Sequence, residues 1–108
     1  PSGFDAGIHD SLGRQLMHSR GYRELTGKLM RAADKVCAGR LMMCHEGGYD
    51  ASTVPYLGLA VLEELSGIKT EIDDPLLEVF ESIGGQALQP HQEAVLEEAE
   101  TLLEILKA

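Results

Sequence analysis

One short apolar run constrains the fold of this chain more than any other feature. Leu41–His45 is almost wholly apolar, with Gly39-Arg40 before it and Gly47-Gly48 after it. A short apolar run bounded in this way predicts a strand buried on both faces, as in a parallel sheet. This strand must pair outside the chain's own helices, because its backbone donors and acceptors need partners. We therefore expect the missing strands to come from a preceding segment or from another copy of the chain.

Helical periodicity and capping residues organise the rest of the sequence. Apolar residues at helical spacing predict one helix over 21–38 and a second, deeply buried helix over 51–66. Asp10 can cap a short helical stretch over 12–17, and Asp74-Pro75 begin a helix that Gly84-Gly85 end. The last helix starts near Pro90. Its apolar stripe consists of Val95, Ala99, Leu102, Leu103 and Leu106. A strand alternating with helices is typical of an α/β fold.

The charge distribution bears on the possible partners. The formal net charge of −9 falls entirely in residues 71–108, which hold ten acidic residues and one basic residue. This surface argues against nucleic acid, whose phosphates are bound by Lys and Arg, whereas it would tolerate a cationic partner. A solvated helix face is the simpler interpretation. No apolar run approaches the ~20 residues of a membrane helix, so no membrane association is expected.

Two clusters are candidates for chemistry. In the first, Gly3-Phe4-Asp5-Ala6 is followed by His9. A carboxylate in a glycine-bearing loop after a strand suits a metal ligand, although Asp5 could equally cap a turn. In the second, His45–Tyr49 leaves the predicted strand through two glycines, and the Tyr49 phenol could donate a hydrogen bond to an oxyanion. A tight turn with an exposed tyrosine and a buried His45 is the alternative.

A zinc site made of the remaining histidines and cysteines is not expected. His18, Cys37, Cys44 and His91 include no pair at the spacing of a compact zinc site. The two cysteines are too few for a disulfide scaffold and indicate free thiols in a reducing compartment, so we expect a cytoplasmic protein. A small metal-binding protein that uses Asp5 and His9 between chains stays open as a further hypothesis.

Three ordered motifs resemble a known family. They are Ser2-Gly3-Phe4-Asp5-Ala6, Gly21-Tyr22-Arg23-Glu24-Leu25-Thr26 and His45-Glu46-Gly47-Gly48-Tyr49, and the stretch from Val54 to Gly67 is similar as well. Together they resemble the C-terminal portion of zinc-dependent histone-deacetylase-like amidohydrolases, including the bacterial acetylpolyamine amidohydrolase-like proteins. The likeness covers roughly residues 2 to 92.

The resemblance implies a fold, an activity and a set of site residues. The fold is the arginase/deacetylase-like α/β architecture, and the reaction is zinc-dependent hydrolysis of an N-acetyl amine (acetyl-lysine or acetylpolyamine) with release of acetate. Asp5 would be one of three zinc ligands, and Tyr49 would hydrogen-bond the acetyl carbonyl and its oxyanion. Gly47 and Gly48 would keep the wall of the substrate tunnel thin.

The family's other site elements are not found in this sequence. An Asp-x-His motif supplies two zinc ligands in such enzymes and a His-His pair supplies the general base, and the chain contains neither. We therefore expect residues 1–108 to form a single C-terminal segment of a deacetylase-like domain that is inactive by itself. The alternative is a non-catalytic interaction module derived from the same fold. In either case the unpaired strand predicts a homo-oligomer.

Overall fold

Four helices account for the regular structure. The computed structural model describes residues 1–107 and places α1 at Ser19–Cys37, α2 at Val54–Ser66, α3 at Leu77–Ser82 and α4 at Pro90–Lys107. The expected helices over 21–38 and from Pro90 are therefore confirmed. The second helix begins three residues later than expected, because Asp50 accepts hydrogen bonds from Ser52 and Thr53 and holds residues 50–53 in a turn. No helix within residues 1–107 is both long and apolar enough to cross a membrane.

The helical stretch expected over 12–17 is wrong. The Asp10 carboxylate does accept the amides of Leu12 and Gly13, as a cap would, but residues 13–16 then have no regular secondary structure. Met17 instead forms a parallel bridge with Gly7, and its amide donates to the Ala6 carbonyl at 3.0 Å. The long-range pairing satisfies backbone groups that a single short helical turn would leave free.

The strand expected at residues 41–45 is also wrong in its main features. Within residues 1–107 this run forms a single isolated parallel bridge, between His45 and Ser2. Met42 is 83% exposed, and Cys44 and His45 are exposed as well, so the run is not buried on both faces. The physical reason is that the described residues supply one short neighbour, on one side only, and no layer that covers the outer face.

The partner of this run lies inside the chain, at its beginning. The Ser2 amide donates to the Cys44 carbonyl at 2.8 Å, and the Phe4 amide donates to the Gly47 carbonyl at 2.7 Å. Residues 2–4 and 44–47 therefore run parallel, with α1 between them in the sequence. Parallel segments need a crossover of this kind, which is most often a helix. The described residues form only isolated bridges here, and no strand.

The core lies where α1 and α2 pack against these paired segments. Phe4, Tyr22, Leu57 and Val61 are buried together, and the Phe4 and Tyr22 rings meet edge to face with centroids 5.2 Å apart. Asp5 follows Phe4 directly in a turn that the Gly7 amide closes by donating to the Phe4 carbonyl at 3.0 Å.

The C-terminal part is joined to this core by polar contacts and one aromatic side chain. Ser19 donates to the Asp74 carboxylate at 2.6 Å, Arg20 pairs with Glu81 at 2.9 Å, and Phe80 is buried. Residues of the α4 stripe such as Val95 and Leu102 are 64% and 59% exposed, so the stripe packs on nothing among the described residues. The side chain of Leu106, assigned to the same stripe, lies outside the described residues.

Candidate functional site

The parallel pairing brings the two predicted site loops together. The hydrogen bond from Phe4 to Gly47 places Asp5 beside the start of the Gly47–Tyr49 loop. A Cβ atom added to Gly47 would lie 2.4 Å from Asp5 Oδ2, and one added to Gly3 would lie 2.6 Å from Asp5 Oδ1. The Asp5 carboxylate thus rests between two glycines, and any side chain at either position would displace it.

Gly48 is required by backbone conformation as well as by space. Its φ is +129°, a region that residues with a side chain rarely adopt. An added Cβ would lie 2.8 Å from Phe4 Cβ and 3.0 Å from Val54 Cγ2. The second glycine of the pair therefore lets the loop pass tightly between the core phenylalanine and the start of α2.

Tyr49 is the exposed member of the site. Tyr49 is 61% exposed, so the phenol is accessible. The Tyr49 backbone amide donates to Asp10 Oδ2 at 2.7 Å. The exposed-turn interpretation of Tyr49 and its use as a hydrogen-bond donor to a substrate are both compatible with this placement. The roles expected for Asp5, Gly47, Gly48 and Tyr49 remain predictions.

Three histidines near the site make contacts with residues other than Asp5. His45 is exposed, with its ring tilted against Phe4 at 4.9 Å, so the expectation that it is buried is wrong. His9 lies 3.8 Å from the Asp50 carboxylate and packs edge-on against Phe80. His18 caps α1, where its Nδ1 accepts the amide of Gly21 at 3.4 Å.

A complete zinc site is not formed by the described residues. Within residues 1–107, no group of three or more His, Cys, Asp or Glu side chains comes close enough to hold a metal ion. A catalytic zinc needs three protein ligands and an open fourth position. Asp5 alone does not meet that requirement.

Two residues near the site escaped the sequence-based prediction of functional positions. Asp10, expected to cap a helix, instead joins the Tyr49 amide to the loop that follows Asp5. Tyr22 lies under the same loop. Its hydroxyl is buried and makes no well-formed hydrogen bond among the described residues. Burial is the main cause that raises the Tyr22 pKa to about 12; the nearby Ala6 backbone amide opposes the shift, and the charges of Asp5 and Asp10 add to it. The signal for Asp10 was present as an Asp-Ser-Leu-Gly turn sequence.

A separate cleft of about 570 Å³ lies at the other end of α2. It is formed by α1, α2 and the segment 67–77, and none of the four predicted site residues lines it. At its wall, the buried Glu63 carboxylate accepts hydrogen bonds from the Arg23 guanidinium and from the Thr70 amide and hydroxyl, which lower the Glu63 pKa to about 2. These bonds tie the segment after α2 to α1. The Glu63 cluster therefore stabilises the packing of this segment.

The fold and the site together define a class of protein: a chain that holds a carboxylate loop and a Glu-Gly-Gly-Tyr loop at the ends of two parallel segments. Comparison with known sequences identifies that class. Residues 1–65 match the histone deacetylase domain, and the chain belongs to the histone deacetylase family.

Curated relatives come from bacteria, plants and archaea. The chain is 46% identical over 80 residues to the histone deacetylase-like amidohydrolase of Pseudomonas aeruginosa, covering 74% of this chain and 21% of that protein. It is 37% identical over 76 residues to histone deacetylase 8 of Arabidopsis thaliana, covering 68% and 20% of the two chains. A probable deacetylase of Archaeoglobus fulgidus is 31% identical over 67 residues, covering 61% and 19%. The chain thus spans only about a fifth of the length of these relatives.

Proposed function

We propose that the chain supplies one part of the active site of a zinc-dependent amidohydrolase that removes acetyl groups from N-acetyl amines, either acetyl-lysine or acetylpolyamine. The observation that carries the proposal is the convergence of the Asp5 carboxylate with Gly47, at the start of the loop that presents Tyr49. The parallel pairing of residues 2–4 with 44–47 across α1 supports an arginase/deacetylase-like α/β fold for the complete domain.

Each predicted residue has a distinct role in this proposal. Asp5 contributes one carboxylate ligand to zinc, and the other ligands come from outside residues 1–107. The accessible Tyr49 phenol donates a hydrogen bond to the acetyl carbonyl, and this bond strengthens as negative charge develops on the oxygen. Gly47 and Gly48 keep the wall beside the acyl group thin in this proposal, because glycine adds no side chain.

The isolated chain is inactive in this proposal. A donor to the oxyanion contributes about 10²–10³ to the rate of a complete site, but it cannot replace the missing ligands and general base. The chain with added Zn²⁺ should release no acetate from an acetyl-lysine peptide above the rate without protein. Turnover by the isolated chain that is lost in Tyr49→Phe would overturn this part of the proposal.

A hybrid enzyme tests the residue roles directly. The segment of the Pseudomonas aeruginosa relative that matches this chain is replaced by the corresponding residues of this chain, and acetate release is measured. We expect activity in the hybrid, its loss in Asp5→Ala, and a decrease in kcat of about 10²–10³ in Tyr49→Phe. Tyr56→Phe, on α2 and away from the loop, is the matched control and should keep the rate. Equal activity of the hybrid and its Tyr49→Phe variant would refute the role of Tyr49.

A second candidate function is supported by the apolar surface. Val36, Met42 and Leu62 are 82%, 83% and 63% exposed, and exposed apolar area can drive association. We propose that copies of the chain associate through exposed apolar side chains such as these and through the backbone of residues 41–44, forming a non-catalytic homo-oligomer when no completing segment is present. Sedimentation should then show a dimer or larger species, and a monomer at micromolar concentration would refute it.

We further propose a class of partner and a cellular location for the chain. The acidic residues 71–108 favour a protein or small-molecule partner over nucleic acid, and no association with a membrane is proposed. Cys37 and Cys44 are both free thiols, which supports a reducing, cytoplasmic location.

A further inference from the structure

The Asp10 carboxylate joins two loops that are far apart in the sequence. Its Oδ1 accepts the amides of Leu12 at 2.8 Å and Gly13 at 3.0 Å. Its Oδ2 accepts the amide of Tyr49 at 2.7 Å. The two oxygens therefore divide between a local turn and the predicted catalytic loop.

The turn that Asp10 holds at Leu12 and Gly13 lies against the backbone of Asp5. Gly13 lies so close to the Asp5 backbone that an added Cβ would be 1.5 Å from the Asp5 carbonyl oxygen. Asp10 thus connects Tyr49, through Gly13, to the backbone of the predicted metal ligand. The hydrogen bonds from Gly13 and Tyr49 are the main reasons why the pKa of Asp10 is lowered, against the opposing effects of desolvation and of the Asp50 charge. An ionised carboxylate keeps both oxygens available as acceptors.

Tyr49 needs such a restraint because of its place in the chain. It follows Gly47 and Gly48, and glycines leave the backbone free to adopt many conformations. In the described part of the chain its phenol makes no hydrogen bond, and the residue is 61% exposed. The bond to Asp10 therefore sets where the Tyr49 backbone, and with it the phenol, lies relative to Asp5.

We infer that Asp10 is a positioning residue for Tyr49, holding the Glu-Gly-Gly-Tyr loop at a fixed distance from Asp5. This inference rests on the proposed function for its catalytic meaning. Asp10 touches no substrate in this role and acts only through Tyr49. A displacement of about 1 Å in a catalytic group can cost up to about 10² in rate.

The first test is amide hydrogen exchange on the 108-residue chain itself. The Tyr49 amide should exchange at least about tenfold more slowly than the Gly48 amide, for which the structure gives no acceptor. The protection should vanish in Asp10→Asn, because the Asn side chain keeps one acceptor for the local turn and turns an NH₂ group towards the Tyr49 amide. Asp73→Asn, at an exposed site, controls for the lost charge. Unprotected Tyr49 in the wild-type chain would overturn the inference without any variant.

The second test is a double-mutant cycle in the hybrid enzyme described above. Asp10→Asn should lower kcat by about 10- to 100-fold and change KM by less than about threefold. In the Tyr49→Phe background, the same change should lower kcat by less than about threefold, because a residue that acts through the phenol has nothing left to position. Equal losses in both backgrounds would show a general structural role and overturn the inference. Full activity of Tyr49→Phe alone would instead overturn the proposed function.

Discussion

Replacing Gly48 by alanine tests the close passage of the Tyr49 loop between the core and α2. Two independent costs follow from the structure. The φ of +129° is strained for any residue with a side chain, which costs about 1–3 kcal/mol. The new methyl group would also lie 2.8 Å from Phe4 Cβ and 3.0 Å from Val54 Cγ2, and overpacking of this kind costs about 1–3 kcal/mol.

The combined loss in the free energy of unfolding is therefore about 2–6 kcal/mol for Gly48→Ala. That is a large share of the roughly 5–15 kcal/mol typical of a small domain. Urea denaturation followed by circular dichroism measures it. With an m-value of about 2 kcal/mol/M, the midpoint should fall by roughly 1–3 M.

Two other glycines separate the two costs. Gly67 has a φ of +69° but open space around it, so Gly67→Ala reports conformational strain alone, at about 1–2 kcal/mol. Gly84 has open space and no positive φ, so Gly84→Ala should change the stability by less than about 0.5 kcal/mol. If Gly48→Ala lowers the free energy of unfolding by no more than Gly67→Ala does, the close packing of Gly48 against Phe4 and Val54 is refuted.

Three further predictions concern the core and the Glu63 cluster. Leu57→Ala should cost about 2–5 kcal/mol because Leu57 is 1% exposed, whereas Leu62→Ala, at 63% exposure, should stay within about 0.5 kcal/mol in the same urea assay. Tyr22→Phe should leave the stability unchanged or raise it by about 1 kcal/mol, because it removes a buried hydroxyl without a partner, and a loss above about 1 kcal/mol would indicate a hydrogen bond. The folded pKa of Glu63, about 2, lies below its ordinary value of 4.5, so its contribution to stability is present above pH 4.5 and is lost as the pH falls towards 2. Urea midpoints measured across this range should fall more steeply for the wild type than for Glu63→Gln, and parallel curves would refute the role of Glu63.

The parts of the fold set by local sequence were predictable. The periodicity of residues 21–38 and the start at Pro90 gave helices close to α1 and α4, because propensity and capping act within a few residues. The motifs around Asp5 and Tyr49 indicated two site loops only through their resemblance to a known family, and the roles of these residues stay predictions. These features depend on neighbours in the chain.

The parts set by tertiary contact were not predictable in the same way. Residues 41–45 have the composition of a buried strand, but burial depends on layers that the described residues do not provide, and Met42 is therefore exposed. The pairing of Ser2 with His45 joins distant segments, and no periodicity indicates it. Asp10 shows the same limit: its sequence context predicts a cap, and only the folded chain shows that its second oxygen accepts the Tyr49 amide.

Convergence of Asp5 with the Gly47–Tyr49 loop is the feature on which the proposed site depends, and NOE spectroscopy of the isotope-labelled chain measures it most directly. Cross-peaks between the Asp5 Hβ and Gly47 Hα protons are expected, since the structure leaves no room for a methyl group between these residues. A cross-peak between the Phe4 and Gly48 amide protons should accompany them, because the Phe4 amide donates to the Gly47 carbonyl. If α1 and α2 are folded and the Asp5–Gly47 cross-peaks are absent, the proposed site is contradicted.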